Sequence, residues 1–365
     1  MPRAYNFSAG PAVLPEEVLR IAQQELCDFQ QTGSSVMEIS HRGDVFGAFF
    51  NETQNNLRVL MNIPNNYRIL FLQGGARLQF AMVALNLAKP GDTVDYVNSG
   101  HWSQLAMDTA KQHAVVNEVV SNRLEKYTAI PEEKKWLRSA KAAYLHFTTN
   151  ETIHGVQFPV MPTIKNDVPL VCDMSSDFIS RPIDVNQFGI IYAGAQKNVG
   201  IAGLTIVIVR EDLLASIKRS DIPKMLQYAT YADTDSMYNT PPTFAIYMAG
   251  LVFCWIKKQG GIAAIAKRNE EKANWLYRVI DDSDGFYSAP VKAPFRSRMN
   301  VVFRLANEKL NELFLETAQA HHLMYLKGHP VLGGMRASIY NAMPMDGVKA
   351  LGEFMQAFAK THLSH

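Results

Sequence analysis

Seven short apolar runs recur through the first two thirds of the chain, at residues 68–72, 94–97, 115–120, 143–147, 168–172, 189–193 and 204–209. Each is too short for a stable helix, and each is mostly apolar, as suits a strand covered on both faces. The stretches between them, such as Arg77 to Ala88, carry apolar residues at helical spacing. Parallel neighbours need long crossovers, and helices supply them, so this grammar predicts an α/β fold: a mostly parallel seven-stranded sheet with helices on both faces. At 365 residues the chain suits two domains or one large one.

In an open sheet of this kind, ligands sit beyond the carboxyl ends of the strands. Two of the runs deliver ionisable groups there. Residues 168–172 lead into Asp173, and the run 189–193 leads through Gly194, Ala195 and Gln196 to Lys197. A lysine between interior strands cannot remain a bare ammonium, because an unpaired buried charge costs several kcal/mol or shifts its pKa. A Schiff base with an aldehyde cofactor removes the charge, and an aspartate nearby can keep a ring nitrogen protonated. A plain Asp173–Lys197 ion pair, or Asp173 as a helix cap beside Ser175, accounts for the same residues equally well.

Other strand ends add polar groups. Gly74 to Arg77 (GGAR) follows the first strand and opens a helix, whose free N–H groups suit a phosphate; it lacks both the P-loop lysine and the GxGxxG pattern. Trp102 begins the helix after strand 94–97, where an indole can stack on a flat ring or simply fill the core. His41–Arg42 lies on a Gly-bounded loop and reads either as an oxyanion clamp or as surface decoration. Arg336 stands just before a strand, where its guanidinium can hold a carboxylate through two hydrogen bonds.

Beyond Gly260–Gly261 the pattern changes to helix 262–280, strand 299–304, helix 307–320, a strand near 337–340 and a last helix from about Asp346. A smaller α+β domain is expected there. At the other end, Pro15 opens a helix expected to run to about Gln31.

A net charge of +2 gives no reason to expect nucleic acid or an acidic membrane as partner. Cys27, Cys172 and Cys254 are few and scattered, which points to a reducing compartment, and no Cys/His set has zinc spacing, so no metal is expected. The strongest apolar run, Phe244 to Ile256, is too short to cross a bilayer. With no signal pattern at the N-terminus, a cytoplasmic protein is expected.

The segments NFSAGPA (6–12), SHRG (40–43), NET (150–152), DMSSDFISRPIDV (173–185), IYAGAQKN (191–198) and GGMRASIYNA (333–342) resemble the phosphoserine aminotransferase family, over essentially the whole chain. That family has the aspartate-aminotransferase-like fold of pyridoxal-phosphate enzymes. The resemblance implies a cofactor domain over 15–259, with 260–365 forming the small domain joined by segment 1–14. It implies pyridoxal 5'-phosphate held by Lys197 as a Schiff base, Asp173 at the ring nitrogen, Trp102 stacked on the ring and Thr152 at its oxygen. Ala76, Arg77 and Gln196 would take the cofactor phosphate with Asn239 and Thr240 of a neighbouring subunit, making the homodimer obligatory. Arg336 would hold the substrate α-carboxylate, and His41, Arg42, Arg77 and His329 the distal anion. The implied reaction is 3-phosphooxypyruvate plus glutamate to phosphoserine plus 2-oxoglutarate by ping-pong kinetics, with 4-phosphooxy-L-threonine as a further product in some members. Two positions depart from the family: Pro330 stands where an arginine is usual, and Ala9 where serine is common. A cysteine desulfurase of the same fold needs a cysteine on a mobile loop, which none of the three provides. A cofactor-free α/β binding module, with Lys197 and Asp173 merely paired, is the rival from another class.

Overall fold

The computed structural model describes residues 3–163, 168–216 and 221–363. After a two-residue strand β1 (Tyr5–Asn6), helix α1 spans Glu16–Glu25 and α2 Asp44–Met61. The expected continuation of the first helix to Gln31 does not occur. Gln30 and Gln31 turn left-handed (φ 50° and 63°), and Asp28 Oδ1 accepts the Gly33 N–H at 2.8 Å, closing a loop instead.

The large sheet is built from β2 (Tyr67–Leu72), β3 (Thr93–Asn98), β4 (Val115–Ser121), β5 (Leu145–Thr148), and, after the small hairpin β6 (Asn150–Glu151) and β7 (Val156–Gln157), β8 (Leu170–Asp173), β9 (Ile190–Gly194) and β10 (Thr205–Arg210). Its order is β2-β10-β9-β8-β5-β3-β4. Strands β4, β3, β5, β8 and β9 are parallel, while β10 runs against both β9 and β2. All seven expected strands are present, each within two residues of its expected ends. The central residues of all but the edge strand β4 are buried on both faces, which is why those strands read as apolar runs; β4 is partly exposed and carries Asn117 and Glu118.

Helices α3 (Gly75–Leu87) and α4 (His101–Ala110) follow β2 and β3; α5 (Glu211–Ser216), α6 (Tyr228–Asp233) and α7 (Thr243–Lys258) follow β10. Two topological facts fix the site. Because β9 and β10 are antiparallel, the connection carrying Lys197 lies at the carboxyl end of β9, the edge at which β8 delivers Asp173. The chain also leaves β3 toward β4 at the sheet's edge but leaves β5 toward β8, so the order reverses between β3 and β5. A crevice opens at such a reversal.

Gly260 and Gly261 turn the chain with φ of 92° and 78°, a region open to glycine, and helix α8 (Gly261–Asp281) follows. Then come β11 (Tyr287–Ser288), β12 (Asn300–Leu305), α9 (Asn311–Ala320), β13 (Leu323–Met324), β14 (Met335–Ser338) and α10 (Met345–His362). Strands β11, β12 and β14 form an antiparallel sheet, and β1 pairs in parallel with β13. Val348, Leu351 and Met355 of α10 are buried beside Leu276, Phe303 and Phe314, and Phe7 and Val13 from the N-terminal segment join the same core. Burying each leucine or phenylalanine is worth about 1.5–3 kcal/mol, enough to hold that segment in place. Helix α8 serves both cores: Ile262 and Ile265 belong to the large sheet's, Ala273 and Leu276 to this one.

Candidate active site

A pocket of about 430 Å³ opens at the carboxyl edge of the large sheet. Asp173 forms its floor. Its Oδ1 accepts the Ser175 N–H at 2.8 Å, and Ser175 Oγ in turn accepts the Gly194 N–H at 3.1 Å, tying the ends of β8 and β9 together. Burial pushes the Asp173 carboxyl above the usual carboxylate range, while Lys197 and Ser175 pull it back. The helix cap expected as an alternative is not present, since a turn and not a helix follows β8; the Ser175 N–H closes an i→i+2 turn on one oxygen of Asp173, which lines the pocket.

Lys197 projects from the β9–β10 connection, with Nζ donating to Thr152 Oγ1 at 3.0 Å and no ion-pair contact with Asp173. Desolvation lowers its ammonium to about 8; Asp173 opposes that shift, and Arg336 adds to it. An amine at that value is a competent nucleophile near neutrality. Nζ lies 5.8 Å from the centre of the Trp102 ring, and the Arg77 guanidinium lies 5.6 Å from it.

The N-terminal segment covers one side. Gly10 packs within 3.5 Å (measured to a Cβ built on it) of the side chains of Gln196 and Lys197, the Ala12 N–H donates to Gln196 O at 2.9 Å, and Tyr340 OH donates to Ala9 O at 2.7 Å. Opposite, α3 begins at Gly75 with no side chain capping its first N–H groups. Gly74 (φ 95°) makes that turn, and a Cβ there would lie 2.4 Å from Leu78. Arg336 sits inside β14, not before it as expected, and its Nη1 donates to Thr152 O at 3.4 Å. His329 lines the mouth, its ring 5.7 Å from that of His101.

Of the residues expected at the site, Ala76, Arg77, Trp102, Thr152, Asp173, Gln196, Lys197, His329 and Arg336 line this one pocket. His41, Arg42, Asn239 and Thr240 do not line it. Arg42 and Thr240 are exposed, and Asn239 Nδ2 donates to Gln73 Oε1 at 3.0 Å on the surface. Thr148, Asn150, Ser176 and Phe80 line the pocket without having been singled out in the sequence. A reactive amine, a buried carboxyl, an aromatic face and an open helix N-terminus are the parts a phosphorylated aldehyde ring requires.

The model of the family described as class-V aminotransferases matches residues 4–351. The chain belongs to the class-V aminotransferases. Curated relatives within that family include the phosphoserine aminotransferase of Chromobacterium violaceum, 58% identical over 99% of this chain and 100% of its own length, and that of Laribacter hongkongensis, 55% identical over 98% of this chain and 99% of its own. Among solved structures, the phosphoserine aminotransferase of Bacillus circulans subsp. alkalophilus superposes with a TM-score of 0.96 at 48% identity, covering 98% of this chain and 99% of that one. A pyridoxal-phosphate-bound phosphoserine aminotransferase from Trichomonas vaginalis superposes with a TM-score of 0.93 at 40% identity, covering 97% and 100%. The class-V aminotransferase fold thus accounts for the sheet, its order and the placement of the pocket. Among the described residues no cluster of His, Cys, Asp or Glu could hold a metal ion, and no helix is long and apolar enough to cross a membrane.

Proposed function

We propose that this chain is a pyridoxal-phosphate-dependent phosphoserine aminotransferase, moving an amino group from glutamate to 3-phosphooxypyruvate. The observation that carries the reading is the pairing of Lys197, its ammonium lowered to about 8, with a buried Asp173 in one pocket that also presents Arg336 and His329. The pocket fits the cofactor: Thr148 Oγ1 and Trp102 Nε1 are buried there without a partner in the chain, and the α3 N-terminus is uncapped. Lys197 would hold the cofactor covalently, Asp173 its ring nitrogen, Trp102 its face, and Thr152 its ring oxygen. Its phosphate would lie against Ala76, Arg77 and Gln196, with Asn239 and Thr240 supplied by a second copy of the chain.

When bound, the cofactor supplies an electron sink next to the substrate α-carbon. The protein does the rest. Arg336 binds the α-carboxylate through its planar guanidinium and so aims the α-hydrogen at Lys197. Lys197 Nζ, once released, would take that proton from the substrate α-carbon and deliver it to the cofactor carbon on the other side of the shared nitrogen. Asp173 stays ionised against a ring cation and stabilises the charge that develops there. Arg77 and His329 line the pocket and read the distal phosphate or carboxylate, while His41 and Arg42, which lie outside it, reach that anion only from a second copy of the chain; one pocket takes both substrates in turn.

The reading includes a homodimer with shared sites, a cytoplasmic location, and a working division into 15–259 and 260–365 with segment 1–14 attached to the latter. Separate hydrophobic cores for the large sheet and the C-terminal region support that division. Formation of 4-phosphooxy-L-threonine by the same site is a further proposal. The test is a set of half-reactions: each amino acid is mixed with the loaded enzyme and the loss of its visible absorbance is followed. Phosphoserine should act far faster than serine, alanine or aspartate; if aspartate is faster, the phosphate assignment fails. Steady-state plots at varied co-substrate should be parallel.

A further inference from the structure

Glu151 is fully buried one residue before Thr152, and the proposed chemistry gives it no part. Its carboxylate reaches across the β3–β5 crevice to the start of α4. Oε2 accepts the Trp102 N–H at 2.9 Å and Oε1 accepts the Ser103 N–H at 2.8 Å. Two of the donors that a helix start leaves unpaired are thereby satisfied by a single carboxylate from another segment. Burial pushes the Glu151 carboxyl up to about 7, against the pull of those N–H groups. The approach requires glycine at position 100, where a Cβ would lie 2.5 Å from Glu151 Cδ and 2.7 Å from Oε2. The same segment continues into Thr152, whose Oγ1 accepts from Lys197 and whose carbonyl accepts from Arg336. One rigid piece thus fixes the backbone under the Trp102 ring and the hydroxyl beside the Lys197 amine.

We propose that Glu151 is a positioning residue that holds the Trp102 ring in its place 5.8 Å from Lys197 Nζ, and through it sets the pocket's grip on a flat aromatic cofactor. This rests on the reading that pyridoxal phosphate stacks on Trp102. Glu151 touches no reacting atom; it acts through the α4 backbone. Helix caps commonly do no more than hold a helix. Here the capped residue is itself the aromatic wall, so loss of the cap displaces the wall.

The experiment uses full-length protein carrying Glu151→Gln, Gly100→Ala or Trp102→Ala. Hydrogen exchange of the 99–107 segment without cofactor reports the cap, and absorbance titration with pyridoxal phosphate gives affinity. Induced circular dichroism of the bound cofactor reports its seat. In Glu151→Gln an amide N–H₂ replaces one acceptor, so exchange should speed about tenfold. Cofactor affinity should fall about tenfold and the induced band should shrink, while thermal unfolding shifts by only a few degrees. Gly100→Ala, which displaces an unaltered carboxylate, should give the same pattern and decides the matter if the glutamine variant does not fold. Faster exchange with wild-type affinity and an unchanged band overturns the proposal, leaving Glu151 a helix cap. If Trp102→Ala also binds pyridoxal phosphate as the wild type does, the stacking reading itself has failed and the proposal falls with it. If Trp102→Ala binds weakly and Glu151→Gln does not, only the proposal falls.

Discussion

Two regions of this molecule take a lysine out of bulk water, and they treat it in opposite ways. Where α8 meets the C-terminal region, Lys272 is 2% exposed and gives its three protons to the carbonyls of Ile339, Tyr340 and Met343 at 2.9, 2.7 and 3.1 Å. At the sheet edge, Lys197 has one hydroxyl partner and a pocket in front of it. Desolvation lowers both, Lys272 to about 7 and Lys197 to about 8. Burial and a depressed pKa therefore do not distinguish a reactive amine from a structural one. The count of acceptors does: Lys272 is used up as a rivet between α8 and the turn after β14, whereas Lys197 keeps hydrogen-bonding capacity and room for a reaction partner.

The largest expected effect separates the two directly. Lys197→Ala should abolish transamination, a loss of at least about 10⁴-fold, while moving thermal unfolding little. Full turnover by that variant would break the comparison. Asp173→Asn should come next, lowering kcat by about 10²–10³-fold with a smaller change in KM, since its carboxylate would keep the ring nitrogen protonated and so able to draw electrons from the substrate α-carbon. Lys272→Met should cost about 3–5 kcal/mol of stability, because three buried carbonyls lose their donor, and should leave the per-molecule rate of the folded enzyme nearly unchanged. Denaturant melts measure the first and active-site titration the second. The smallest effect is a matter of pH. A pKa lowered from the ordinary lysine value means that the free amine of Lys197 is present above about 8, not only above about 10.5. Reductive labelling of cofactor-free protein should reach half its maximal rate near that lower pH at Lys197. Lys272, though lowered further, should resist labelling because no reagent reaches it.

Much of this was legible in the chain itself, for reasons the comparison clarifies. Most of the seven strands announced themselves because both faces are covered, and Asp173 and Lys197 because they lie at or just beyond the ligand-edge ends of β8 and β9. Helix α2 was not anticipated. Its buried face of Phe46, Phe50, Leu57 and Met61 is interleaved with asparagines and other polar residues, and Gly43 starts it without a side-chain cap. Glu151 was quoted only within a motif, since its partners Trp102 and Ser103 lie in another element and no spacing rule links them. His41, Arg42, Asn239 and Thr240 lie outside this chain's own pocket, and for Asn239 and Thr240 the resemblance already implies a place in a neighbouring subunit's site.

One more consequence follows from the parallel pair of Tyr5–Asn6 with Leu323–Met324, and from Ala9 meeting Tyr340. Residues 5–9 pair with residues made more than three hundred positions later, although Gly10 and Ala12 already meet Gln196. A ribosome-stalled chain stopped short of Leu323 should therefore be unable to retain pyridoxal phosphate, however well its large sheet has folded. Retention by such a truncated nascent chain would show that the leading segment is dispensable for closing the cavity. Otherwise, emergence of the segment that carries Leu323 and Tyr340 is the step that switches on binding.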